Sequence, residues 1–98
     1  MNIQDNIHDL FWLAHYAHRA FAPIFADAKK VEPSLQYSIE VNVADENSIY
    51  YKQSHVSVAA HWDREGMLVQ AGHLESIDDI DRVAAYTRYD VDQLKEAQ

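Results

Sequence analysis

From Leu35 to Val43 the chain alternates without a break. Leu35, Tyr37, Ile39, Val41 and Val43 are apolar, while Gln36, Ser38, Glu40 and Asn42 are polar. A helix would scatter that pattern around its circumference, because successive side chains turn by about 100°. A strand collects the apolar set on one face, since its side chains point alternately to opposite sides. The stretch therefore predicts a half-buried strand over residues 35–43. Two more strands are expected over residues 54–62 and 67–74, and the flanking segments are expected to be helices covering the sheet.

The first helix is announced by Ile3, Ile7, Leu10, Ala14, Ala17 and Phe21, which recur in steps of four and three, with Phe11 and His18 beside the stripe. Asn2 and Asp5 have capping-box-like spacing at its start. The pattern gives an amphipathic helix of about 19 residues. Pro23 is expected to end or kink it near Ala22, because the residue before a proline disfavours helical dihedrals. A short second helix then runs through Asp27 to Lys30, and Val31-Glu32-Pro33-Ser34 links to the sheet. At the other end, Ser76 with Asp79 three residues on marks an N-cap, and Asp78, Asp79 and Asp81 suit the positive pole of a helix. Ile77, Ile80, Ala84, Thr87, Val91 and Leu94 form its buried stripe.

A turn at Asp63-Arg64-Glu65-Gly66 sets a register between the second and third strands. It pairs Trp62 with Met67, Ala60 with Val69, Val58 with Ala71 and Val56 with His73. The opposite face then carries His55, Ser57, Ala59 and His61 against Leu74, Gly72, Gln70 and Leu68. The connection from Asp45 to Gln53 is long for a hairpin, and Tyr50 and Tyr51 fit either a strand extension or a projecting loop. The expected architecture is α+β in a single domain, residues 1–98. It comprises an N-terminal helix with a short helix after it, a three-stranded antiparallel sheet and a C-terminal helix. Both long helices lie on one face of the sheet.

Composition excludes several classes of function. The 98 residues contain no cysteine, so disulfides, thiolate metal sites and cysteine nucleophiles are ruled out. No basic-then-apolar leader and no membrane-length apolar run occurs, which makes a cytoplasmic protein the expectation. The net charge is −8, spread as −1, −3 and −4 over residues 1–34, 35–74 and 75–98. Such a surface repels nucleic acid and anionic membrane and speeds encounter with basic partners, though it also serves solubility alone.

Chemistry-bearing residues are present without the spacing chemistry needs. His15 and His18 are three apart, with His8 one heptad before His15, whereas a helical zinc pair prefers a spacing of four and a third ligand. His55 and His61 are six apart on one strand, roughly 20 Å, too far to share an ion. Ser57, His55 and Glu40 can be assembled into a hydrolase triad only without an oxyanion loop or a nucleophile turn. With only Gly66 and Gly72 in the chain, phosphate-cradling loops are missing too. The sequence calls for no enzyme activity, no cofactor and no metal.

The aromatic residues are more informative. Trp12 and Tyr16 are four apart and point away from the buried stripe, with His8, His15 and Arg19 alongside. On the last helix Tyr89 projects opposite the core, near Tyr86 and Arg82. Trp, Tyr and Arg are the side chains enriched at interface hot spots, and an i, i+4 Trp–Tyr pair makes a patch. The expected partner-binding residues are thus Trp12, Tyr16, Arg19, Asp78, Asp79, Asp81, Tyr86 and Tyr89. Two functions follow. One is a small acidic binding module that inhibits a basic, nucleic-acid-handling protein, with Asp78, Asp81, Asp92 and Glu96 imitating a phosphate row interrupted by Arg82 and Arg88. In size and charge it resembles small phage-type inhibitors, anti-CRISPR proteins among them, with no residue motif to tie it to a family. The other is a non-catalytic homodimeric accessory domain that pairs through the open sheet face at Ser57, Ala59, Gly72 and Leu74.

Overall fold

The computed structural model describes residues 7–43, 54–62 and 66–97, with side chains from residue 9 onward. The expectations for Asn2, Ile3 and Asp5, the side chains of Ile7 and His8, the Asp45–Gln53 connection and turn residues 63–65 lie outside the described residues. Helix α1 spans Ile7–Val31, strands β1, β2 and β3 span Gln36–Asn42, His55–Trp62 and Gly66–Leu74, and helix α2 spans Ile77–Glu96. The strands form one antiparallel sheet in the order β1-β2-β3. Both helices pack against this sheet, giving the α+β fold that the alternation at residues 35–43 predicted.

The first helix departs from expectation. It runs for 25 residues and continues past Pro23, so it does not end near Ala22 and there is no separate helix at 27–30. A proline inside a helix costs about 3 kcal/mol, through one missing hydrogen bond and crowding of the preceding turn. Beyond it, however, Ile24, Phe25 and Ala28 are all buried. Burying the Ile and Phe side chains returns about 1.5–3 kcal/mol each, which outweighs the proline. Pro23 itself is exposed, so the carbonyl it leaves without a partner faces water rather than the core. The helix ends where Glu32 N–H donates to Ala28 O at 2.9 Å and Leu35 N–H donates to Glu32 O at 3.0 Å, turning the chain into β1.

The core lies between the helices and one face of the sheet. Leu10, Leu13, Ala14, Ala17, Phe21 and Phe25 of α1 meet Val56, Val58 and Ala60 of β2, with Ile80 and Val91 from α2. Phe21 and Phe25 stack with ring centres 5.5 Å apart, and Phe25 meets the ring of Tyr37 on β1 at 4.6 Å. Along β1 the helix-facing residues Tyr37, Ile39 and Val41 pair with Ala60, Val58 and Val56. All three β2 residues are buried, whereas none of the β1 residues is. The difference arises because β2 has a neighbour on each side and β1 is an edge.

The β2–β3 register agrees at its centre and slips at both ends. Ala60 pairs with Val69 and Val58 with Ala71, as the alternation requires. Toward the turn, His61 pairs with Met67 and Trp62 with Gly66. At the far end Val56 pairs with Leu74 rather than with His73. Each slip is a β-bulge that inserts one extra residue into β3. The extra residue re-aims the side chains after it. Leu68 thereby joins Val69 against the core, and Leu74 becomes buried at 4% exposure. Both had been expected on the open face. His73, at the second bulge, has φ 58, a left-handed conformation that few non-glycine residues adopt.

Helix α2 begins at the predicted cap. Ser76 Oγ accepts from Asp79 N–H at 3.2 Å, and Asp79 Oδ2 accepts from Glu75 N–H at 3.0 Å. Its buried side carries Ile80, Thr87 and Val91, in line with the predicted stripe. Near its start it meets Tyr16, and near its end Arg88 and Lys95 meet Asp27. The two helices therefore lie side by side and run in the same direction. Like poles sit next to each other in that arrangement, so the cross-helix ion pairs offset an unfavourable dipole alignment.

Candidate partner-binding groove

The predicted site residues divide between two surfaces. Trp12, Tyr16 and Arg19 line a groove of about 550 Å³ together with His15 and Ala20. Positions 12, 16 and 19 fall on one helix flank because they are spaced by four and three, and Ala20 keeps the floor low. The rings of Trp12 and Tyr16 are stacked, with centres 6.0 Å apart and planes 19° from parallel. Trp12 remains 49% exposed, so one face of its indole is open while the other is held. Tyr16 is half-buried and packs against the core, which differs from the outward projection expected of it.

Tyr16 also joins the helices. Its Oη donates to Asp81 Oδ1 at 2.6 Å. This bond to a carboxylate raises the phenol pKa above its ordinary value, assisted by partial burial and by the negative charges of Asp81 and Asp78. The stacked pair is thus fixed from both sides, by the core below and α2 beside it. Arg19 is exposed and has no ion-pair partner among the described residues. A guanidinium therefore flanks one end of the aromatic floor, and two carboxylates flank the side toward α2.

The remaining acidic residues differ in availability. Asp79 is committed to the cap and to Arg82 Nη2 at 2.9 Å. The backbone hydrogen bond from Glu75 is the main cause of its lowered pKa, opposed by desolvation and reinforced by Ser76 and Arg82. Asp92 accepts from Arg88 Nη2 at 2.7 Å. Asp78 is exposed and without an ion-pair partner among the described residues. Of the four carboxylates in the expected row, Asp81 and Asp92 are thus already engaged. Tyr86 and Tyr89, 67% and 64% exposed, belong to the outward side of α2 and take no part in the groove.

The sheet's far face carries contacts that spacing along the chain did not reveal. The rings of His55 and His73 lie 4.3 Å apart, brought together by the bulge at His73, and His55 is buried. Ser57 Oγ accepts from Asn42 Nδ2 at 3.2 Å, and Glu40 stands opposite Ser57 in the register. No group of three or more potential metal ligands occurs among the described residues, and no described helix is long and apolar enough to cross a membrane. No protein-family model, no curated protein sequence and no solved structure matches this chain.

Proposed function

We propose that this chain is a small, non-catalytic, acidic protein-binding module that docks through the Trp12–Tyr16 groove onto a basic surface of a larger protein. The observation that supports this is the stacked pair itself. A large aromatic face is held rigid by Asp81 and the core, half open to solvent, with charged groups around it. Rigid aromatic anchors bind with little loss of side-chain freedom, and such residues dominate interface energetics. The net charge of −8 and the exposed carboxylate of Asp78 fit a cationic partner surface. A nucleic-acid-handling protein is the partner class whose working groove has that character, and a module seated there inhibits it by occupying the phosphate track. Because three of the six acids of α2, Asp79, Asp81 and Asp92, are engaged internally, the affinity comes chiefly from the aromatic groove, and charge contributes to the rate of encounter.

The test is affinity capture of nucleic-acid-binding proteins at low and high salt, followed by competition with duplex DNA and with RNA. A partner displaced by nucleic acid and weakened about 30-fold or more by Trp12→Ala supports the reading. Capture that neither Trp12→Ala nor added nucleic acid alters would remove it.

A further inference from the structure

We infer that the outer edge of β1 is a self-association surface, on which a second copy adds its own β1 antiparallel to form a continuous six-stranded sheet. This surface is separate from the groove, and three observations carry it.

The two sheet edges are built differently. β3 has two bulges and a left-handed residue, devices that twist an edge away from further pairing. β1 pairs with β2 over seven consecutive residues without a bulge. It holds no proline and no lysine, and Glu40 is its only charge. An edge so regular is a template for another strand.

The apolar side chains there are incompletely covered. Tyr37 is 41% and Val43 51% exposed, and Ile39 and Val41 between them are only half-buried. Phe11, His18 and Phe25 follow one another at heptad spacing and so share one flank of α1. Phe25 marks that flank as the β1 side through its contact with Tyr37. Phe11, 57% exposed, therefore borders the same edge. A two-fold axis through Ile39 carries α1 of each copy to the same face of the joint sheet. The two helices then close over these side chains.

Charge and register fit a second copy rather than an unrelated strand. Asp27 turns to α2 and Arg19 to the groove, whereas Lys29 lies beside Leu35 and Gln36 at the start of β1 and β1 adds Glu40. This side of the molecule is thus balanced, whereas α2 carries six acids and three bases. Two copies can approach here without the repulsion that a net charge of −8 each would impose elsewhere. Centring the axis on Ile39 pairs all seven residues and puts Glu40 of each copy opposite Ser38 of the other. No like charges then face each other across the junction.

Ser38 and Glu40 are both exposed, so changes at Ser38 leave the core intact. Sedimentation velocity from about 1 to 100 µM gives the dimer constant. Ser38→Arg places a cation opposite Glu40 at two symmetric positions and should tighten the dimer about tenfold. Ser38→Glu should weaken it by a similar factor. Trp12→Ala should leave the constant unchanged. A wild-type chain that stays monomeric throughout overturns the inference. So does a dimer that responds alike to Ser38→Arg and Ser38→Glu, or that dissociates on Trp12→Ala.

Discussion

Tyr16 shows how one side chain serves both packing and a cross-helix hydrogen bond. Its ring supports Trp12 and its hydroxyl spans to α2. Its pKa is raised in the folded state, so folding favours the protonated phenol. The stability it contributes is complete below about pH 10, the ordinary tyrosine value, and is lost as pH rises through the raised one. The wild-type unfolding midpoint should therefore exceed that of Tyr16→Phe at pH 8, and the gap should close toward pH 11. Circular dichroism melts across that range check it; two curves that stay parallel would place the bond's strength elsewhere. The i, i+4 spacing of Trp12 and Tyr16 made the pair legible from the sequence. The cross-helix bond was not, because Asp81 lies 65 residues away and no local pattern encodes which flank of α1 the second helix covers.

The elements were legible wherever their periodicity ran unbroken. The alternation at residues 35–43, the centre of the hairpin register and the Ser76 cap all follow from local side-chain geometry. Two local rules failed, each for a tertiary reason. Proline was expected to end or kink α1, and it does not end it, because the apolar residues after Pro23 have a core to enter. Pro23→Ala restores a backbone donor on an exposed turn and should stabilise the protein by about 1–3 kcal/mol. Urea denaturation measures this, and a loss of stability would show that the proline shapes the helix in a way its exposure does not suggest. The second failure was the uniform register of β3. Strict alternation cannot announce a bulge, since an inserted residue preserves the sequence of apolar and polar types on either side while reversing their faces. Leu68, Leu74 and the His55–His73 contact were all misplaced or missed for that single reason.

Across the whole molecule, charge is distributed with a purpose that the total of −8 conceals. Asp27 accepts from Arg88 and from Lys95 Nζ at 3.1 Å, and these bonds lower its pKa despite some desolvation. Their contribution is present above the ordinary aspartate value near pH 4 and is lost as pH falls below it. Asp27→Asn should lower the unfolding midpoint at pH 7 and make progressively less difference between pH 4 and pH 2. An offset that persists undiminished at pH 2 would mean that the aspartate acts through packing instead. The helices that these ion pairs join also impose an order of events on biosynthesis. The aromatic floor of the groove is translated with α1, but Asp81, which holds it, follows three strands later. Until α2 has left the ribosome and docked, Tyr16 lacks the hydrogen bond from its hydroxyl to Asp81. Contacts this distant along the chain form late and slowly, so the groove takes its final shape only when the last helix is in place.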